Sequence, residues 1–293
     1  MSAVTEIVTG GAQGYKPTAT LTYATEFRRQ LSRRRTQLTL GFMLVLPLII
    51  LIAFEFGRNN GRDRANERGQ FAALAQIATS GGLNFALFTL LVSASFLLIV
   101  VVALFNGDTV ASEASWGSLR YLLAIPVPRA RLLGSKLLVS LTYSALALAL
   151  LTGSALICGT ARYGWHPLAS NIADDIAPWP ALWRLLGIVA YIGISLLVVA
   201  GLAFLLSVST DAPLGAVGGA VLLQILSSIL DQITALGSLR SYLPTHYSQA
   251  WLGLLSTPIQ LGEMIRGAFS AIVYAAIFFG WAWWRFQRKD VVS

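Results

Sequence analysis

Charged side chains are scarce in this chain of 293 residues, where Asp, Glu, Lys and Arg together make up 12%. Soluble domains carry about a quarter of their residues as charged side chains. Hydrophobic residues reach 56%, and the mean hydropathy is +0.68. These values exclude soluble, disordered and collagen-like classes of protein. The composition therefore predicts an all-α polytopic membrane protein.

Cysteine and histidine are also nearly absent. The one cysteine, Cys158, excludes an internal disulfide and a cysteine-based zinc cluster. The two histidines, His166 and His246, lie in different predicted loops and form no acid–base or metal-binding group. The pair Asp174-Asp175 has no basic neighbour in sequence, so we expect it to be solvated. No metalloprotease or serine-hydrolase motif is present. The sequence thus predicts no enzymatic activity, no metal and no cofactor, with a membrane enzyme kept as an alternative.

A nucleotide-binding loop is missing as well. Such a loop ends in Gly-Lys-Ser or Gly-Lys-Thr after a strand. The glycines of residues 10–18 have the wrong spacing and follow no predicted strand. Residues 1–20 are rich in Gly and Thr, and we interpret them as a flexible tail. The first 37 residues are polar, so no cleavable signal peptide is expected.

Long apolar runs are what the chain does contain. A helix that crosses a bilayer needs about 20 apolar residues. Six stretches meet this requirement, and they lie within one predicted domain, 21–293. The predicted spans are residues 38–56, 83–105, 137–158, 185–207, 213–230 and 268–284.

The distribution of basic residues predicts the orientation of these spans. With six spans, both termini lie on one side, together with residues 106–136 and 208–212. That side holds 13 of the 21 Lys and Arg residues. The positive-inside rule therefore predicts that both termini are cytoplasmic. The predicted location of the protein is the inner or plasma membrane. The same rule explains the net charge of +8 without a nucleic-acid partner. The arginine-rich segment 57–82 is the exception on the predicted outer side.

Residues 21–37 combine apolar and basic side chains at helical spacing. Leu21, Tyr23, Phe27 and Leu31 form an apolar stripe, and five arginines form a basic face. This pattern predicts an amphipathic helix that lies in the lipid headgroup plane. An ordinary basic flank of the first span is an equal alternative.

Few polar groups interrupt the predicted spans. An ion-coupled carrier usually keeps ionisable residues inside its spans, because they bind the driving ion. Glu55, Asp108, Asp231 and Glu263 all fall at or beyond the predicted span ends. Gln224 lies inside the fifth span, and we expect an interhelical hydrogen bond from it rather than a substrate contact. This pattern disfavours a secondary carrier or channel, which is kept as an alternative.

The loop between the second and third spans, residues 108–138, carries a short amphipathic pattern. Leu119, Leu122 and Leu123 share one helical face. Pro126 and Pro128 end this helix. The pattern is typical of a helix that docks into a partner's groove, and equally of a linker helix on the membrane surface.

This loop resembles the permease subunits of ABC-2 type exporters, which have the type V exporter fold. Their pattern of Glu, Gly-Ser/Thr-Leu, Leu-Leu, Pro, Arg, Leu and Lys is matched by Glu113, Gly117, Ser118, Leu119, Leu122, Leu123, Pro126, Arg129, Leu132 and Lys136. A closing Phe286, Arg288 and Asp290 pattern, the basic N-terminal segment and the six spans extend the resemblance over nearly the whole chain.

The resemblance implies a permease subunit without catalytic activity of its own. It implies an N-terminal elbow helix, a cytoplasmic coupling helix and a re-entrant helical pair on the outer side within residues 231–267. Partners would be two copies of a cytoplasmic ABC ATPase, which bind ATP and Mg, and a second permease copy or sibling in the bilayer. The implied ATPase-coupling residues are Glu113, Gly117, Ser118, Leu119, Arg120, Tyr121, Leu122, Leu123, Pro126 and Arg129. The transported substrate and the residues of its pathway are not implied.

Overall fold

The structure of the protein is a computed structural model that describes residues 22–59, 76–117, 128–169 and 175–288. The described residues are helical, and they contain no β-strand beyond one antiparallel bridge between Leu168 and Ile176. The described α-helices are α1 (Tyr23–Leu31), α2 (Arg34–Asn59), α3 (Gly82–Ala94), α4 (Leu97–Ser115), α5 (Arg129–Tyr163), α6 (Pro178–Ser209), α7 (Pro213–Gln232) and α8 (Gly262–Arg288). Two 3-10 helices, Thr234–Tyr242 and Ala250–Leu255, lie between α7 and α8.

Six of these helices are long and apolar enough to cross a membrane: α2, α4, α5, α6, α7 and α8. Exposed tryptophans mark two ends of the helices, with Trp179 and Trp183 at the start of α6 and Trp281 and Trp284 near the end of α8. Tryptophan is enriched where a helix leaves the hydrocarbon. The described part of the chain is therefore all-helical, and the chain is a multi-pass membrane protein.

The second predicted span is not a single helix. Residues 83–105 are divided between α3 and α4, because the backbone leaves helical geometry at Phe96, where φ is −143° and ψ is −53°. Ser95 Oγ donates to the Val92 carbonyl over 3.0 Å at this point, a local bond that competes with the helical ladder. In addition, α4 continues ten residues past Phe105, to Ser115. The loop that the sequence predicts to start at residue 108 therefore starts after residue 115.

Helices α5 and α6 are longer than their predicted spans. They contain 35 and 32 residues. At a rise of about 1.5 Å per residue, each is roughly 50 Å long. A hydrocarbon core is about 30 Å thick. Both helices therefore extend well beyond any hydrocarbon layer that they cross.

Helix α4 forms the centre of the bundle. It packs against α5, α6 and α7. In its most apolar stretch 78% of the residues are buried in the protein, against 17% in the corresponding stretches of α2 and α8. Helix α6 joins this centre to α8, while α3 packs mainly on α5. Helices α2, α7 and α8 thus form the outer layer, whose apolar side chains are exposed to the surroundings of the protein.

Two glycines allow α3 and α5 to cross closely. A Cβ atom at Gly82 would lie 2.6 Å from the backbone nitrogen of Thr160, and one at Gly159 would lie 2.9 Å from the carbonyl oxygen of Gly82. No side chain fits at such distances without moving the backbone. The glycines of α7 behave differently: Gly219 faces Leu206 of α6, and Gly218 has open space around it.

The segment between α7 and α8 turns back onto the bundle. Trp251 is only 3% exposed, Tyr191 Oη of α6 donates to the Tyr247 carbonyl over 2.6 Å, and Arg184 donates to the Leu254 carbonyl over 3.0 Å. The helices here are 3-10 rather than α-helical. These contacts tie the segment to α6.

Candidate functional site

Helix α1 docks on the bundle through a polar face and one aromatic ring. Glu26 and Gln30 are its buried residues, whereas Tyr23 and Leu31 are exposed. The Phe27 ring stacks on Tyr143 of α5, with 4.8 Å between the ring centroids, and Tyr143 Oη donates to the Phe27 carbonyl over 2.7 Å. The predicted apolar stripe is therefore divided: Phe27 packs on α5, whereas Tyr23 and Leu31 are exposed. Leu21 lies outside the described residues.

Seven charged side chains meet where α1 docks, and we call them the ionic cluster. Four segments contribute to it: α1, the start of α2, the last turns of α4 and the second turn of α5. Its members are Glu26, Arg29, Arg33, Arg35, Asp108, Glu113 and Lys136. The three carboxylates and Lys136 are each less than 5% exposed.

Glu113 is the hub of one half of the cluster. Lys136 Nζ lies 2.6 Å from Glu113 Oε2 and 3.3 Å from Glu26 Oε1. Arg29 bridges the same two carboxylates, at 2.8 Å from Glu26 Oε1 and in direct contact with Glu113 Oε1. Charges that are buried need partners of opposite sign, because desolvation otherwise costs several kcal/mol per ion. Here each carboxylate has at least two cationic partners.

Asp108 organises the other half. Arg33 Nη1 lies 3.5 Å from Asp108 Oδ2, and Arg35 contacts both carboxylate oxygens directly. Arg33 also reaches to 3.8 Å from Glu113 Oε1 and thereby links the two halves. Arg33, in the turn before α2, and Arg35, in the first turn of α2, are therefore held against the end of α4.

Opposing effects set the protonation of Glu26. Burial alone would raise the pKa of its carboxyl group, but Lys136 and Arg29 together hold the pKa below its ordinary value. For Arg33, burial and the neighbouring Arg35 lower the pKa of the guanidinium. The carboxylate of Glu26 is thus ionised over the whole physiological range, as its ion pairs require.

The ionic cluster is suited to holding helices together rather than to binding a metal ion. It holds four cations and three carboxylates, all within one connected set of ion pairs. It contains no histidine, and no group of three or more His, Cys, Asp or Glu side chains that could hold a metal ion occurs in the described ranges. Its effect is to tie α1 and α2 to both helices that flank residues 116–128.

The predicted coupling residues fall in four places. Ser118, Leu119, Arg120, Tyr121, Leu122, Leu123 and Pro126 lie outside the described residues. Gly117 has a positive φ of 66° and follows the last turn of α4, where its N–H donates to the Ala114 carbonyl, so it ends α4. Arg129 begins α5 and donates to the Gln287 carbonyl of α8 over 3.2 Å. Glu113 is inside the ionic cluster.

Sequence reasoning missed the ionic cluster as a unit. It treated Arg29, Arg33 and Arg35 as a basic flank, and Asp108 as a residue at a span end. The local signal was present on α1, because Glu26, Arg29 and Gln30 follow the i, i+3, i+4 spacing of one helical face. Its partners on α4 and α5 are about 80 to 110 residues away, which no periodicity relates.

The fold and the cluster thus define a helical membrane protein whose N-terminal helix is fixed to the bundle by buried ion pairs. A family model described as a protein of unknown function, DUF2705, matches residues 48–292. The chain belongs to this family. The matched region includes Asp108, Glu113 and Lys136, and it begins after α1. No curated protein matches the chain.

Proposed function

We propose that the chain is the transmembrane permease subunit of an ATP-driven exporter of the ABC-2 type, paired with a second permease and driven by two copies of a separate ATPase. The observation that carries the proposal is the ionic cluster. It fixes α1 to the two helices that flank residues 116–128, the segment that resembles a coupling helix. A force applied to that segment would be transmitted to α4, which is the most buried of the six candidate spans.

The two faces of α1 support an elbow-like role for this helix. Its polar face is anchored by Glu26 and Gln30, while Tyr23 and Leu31 remain exposed. Exposed apolar residues beside arginines favour the headgroup region of a membrane. Helix α1 would then connect the lipid surface to the bundle.

The proposal is tested by reconstitution with a candidate P-loop ATPase, sought first among the neighbouring reading frames. We expect the two chains to co-purify and the permease to stimulate ATP hydrolysis in lipid, with transport measured over a panel of amphipathic substrates. The control is an ATPase whose Walker lysine is replaced, which should bind but not drive transport. A permease that forms no complex with this ATPase and does not change its activity would contradict the proposal.

A secondary carrier is the second candidate, and one observation favours it. Asp108 and Glu113 are buried within α4, a candidate span, and acidic residues inside spans bind driving ions in carriers. Their pairing with four cations argues against an open ion site. Proteoliposomes with this chain alone separate the candidates: uptake under an imposed proton or sodium gradient would favour the carrier, and uptake only with ATPase and ATP would favour the exporter.

We further propose that both termini are cytoplasmic. The matched test places single cysteines at Ser2, Ser170 and Ser293 after Cys158 has been replaced. An impermeant thiol reagent applied to intact cells should label only the cysteine at position 170, because the membrane shields the other two. Labelling at either terminus would contradict the proposed topology.

A further inference from the structure

A cavity of about 220 Å³ lies at the break between α3 and α4. The end of α7 and residues 245–251 close its other sides. Ile99 of α4 lines it, nine residues before Asp108, the nearest cluster member on this helix, which corresponds to about 14 Å along the helix. The cavity is therefore separate from the ionic cluster. A smaller cavity of about 50 Å³ adjoins it and shares Ile99, Gln224 and Ser248.

Two largely buried residues of this cavity, Gln224 and Trp251, have polar atoms without a protein partner. Gln224 is 8% exposed, and its side-chain amide makes no hydrogen bond to another residue in the described part of the chain. The expected interhelical hydrogen bond is thus absent there. The indole N–H of Trp251, which is 3% exposed, likewise donates to no described residue. Because these atoms are not enclosed by protein and have no protein partner, they are available to hydrogen-bond a ligand or water in the cavity.

The cavity carries no net charge. Asp231 is its one charged lining residue among those described. Its carboxylate accepts a hydrogen bond of 2.6 Å from His246 Nδ1 and lies 3.7 Å from Arg240 Nε. The Asp231–Arg240 pair neutralises the site at neutral pH. No unpaired negative charge is present to attract a cationic ligand, and the Asp231 carboxylate would repel an anionic ligand. The electrostatics of the cavity therefore favour a neutral ligand.

The remaining lining combines hydrogen-bonding groups with apolar surface. Leu91, Ile99 and the Trp251 ring contribute apolar surface to the lining. The residues that contribute amide or hydroxyl groups are Ser95, Gln224, Ser228, Gln232, Thr245, Ser248 and Gln249. Sites for drug-sized ligands measure about 300–1,000 Å³, so this cavity suits a smaller group. We propose that it binds an uncharged, polyhydroxylated head group of the size of one sugar ring, with Gln224 and Trp251 supplying buried hydrogen bonds.

The test uses the full chain in phosphatidylcholine nanodiscs and four probes. Octyl β-glucoside, octyltrimethylammonium and octyl phosphate share one tail and differ in charge, and free glucose lacks the tail. Isothermal titration calorimetry below the micellar concentrations measures binding. We expect saturable binding of the glucoside and none of the charged probes. Binding of free glucose as well would identify a free sugar as the ligand, whereas binding of the glucoside alone would identify a lipid-linked one.

Two substitutions locate the binding in the cavity. Gln224→Leu and Trp251→Phe each remove hydrogen-bonding groups while keeping most of the volume, and we expect each to weaken glucoside binding about tenfold. Gln37→Leu, an exposed amide on α2, is the matched control and should change nothing. Because the Gln224 amide has no partner in the described chain, its replacement should not lower the thermal stability, so it carries the test if Trp251→Phe unfolds.

Equal glucoside binding by the wild type and Gln224→Leu would overturn the proposal, as would saturable binding of the ammonium or phosphate probe, or unsaturable partitioning of every probe. The experiment contains no ATPase. Its failure therefore leaves the proposed exporter function unaffected, and a failure of ATPase coupling leaves the cavity assignment unaffected.

Discussion

Lys136→Met is expected to lower the stability of the protein strongly. The ammonium group is 1% exposed and lies between two carboxylates, at 2.6 Å from Glu113 and 3.3 Å from Glu26. Methionine keeps the shape of the side chain but leaves both carboxylates with fewer cations. Breaking a buried ion pair from one side costs about 3–5 kcal/mol. The measurement is the thermal unfolding midpoint in detergent, followed by fluorescence-detected size exclusion.

Two companion variants make this measurement specific. Arg28→Ala removes an exposed cation from α1, and such surface changes stay within about 0.5 kcal/mol. Combining Lys136→Met with Glu113→Gln tests their contact: the loss of stability in the double variant should be smaller than the sum of the losses in the two single variants, because both single variants break the Lys136–Glu113 contact. An unfolding midpoint for Lys136→Met equal to that of Arg28→Ala would contradict the structural role of the ionic cluster.

Leu122→Asp and Leu123→Asp are each expected to abolish coupling to the ATPase. The helical spacing of Leu119, Leu122 and Leu123 predicts one apolar face that docks into a groove. An unpaired carboxylate buried in such a groove costs several kcal/mol, enough to eliminate ordinary docking. The variants should reach the membrane in normal amounts, because the ionic cluster that anchors the neighbouring helices is unchanged. The readouts are recovery of the ATPase by affinity purification and permease-dependent ATP hydrolysis.

Arg120→Ala is the matched control for this pair of variants. A charge at the rim of an interface contributes little, so coupling should be only mildly reduced. If the Leu→Asp proteins still retain the ATPase and still stimulate it, residues 118–124 are not the coupling segment. The proposed exporter function would then need a different contact surface.

The sequence predicted a helical membrane protein because that class is recognised from long stretches of consecutive apolar residues, which are visible in the sequence itself. Five of the six predicted spans lie inside single helices of the structure. The prediction of the second span as one helix was wrong, because residues 83–105 contain no proline or glycine to indicate the break between α3 and α4. The division between α3 and α4 instead accompanies different packing partners, since α3 packs on α5 and α4 packs also on α6 and α7. Such preferences belong to tertiary structure.

The ionic cluster was predictable only in part. Glu113 and Lys136 were identified through a family resemblance, as members of a loop motif. Their burial and mutual contact arise because α4 continues to Ser115 and α5 begins at Arg129, which brings the ends of these helices together beneath α1. The lack of a hydrogen-bond partner for the Gln224 amide could not be predicted either, because it depends on which side chains surround it in the folded protein.

The ionic cluster also has a consequence for biosynthesis. Arg33 and Arg35 leave the ribosome early, whereas Lys136 is synthesised 101 residues after Arg35. At about 5–20 residues per second, the arginines wait roughly 5–20 s before the last member of the cluster has been translated. During that interval they are free cations at the base of the first span, available to the insertion machinery as an orientation signal. The same charges would thus first direct insertion and later be withdrawn from solvent, once the carboxylates of α4 arrive.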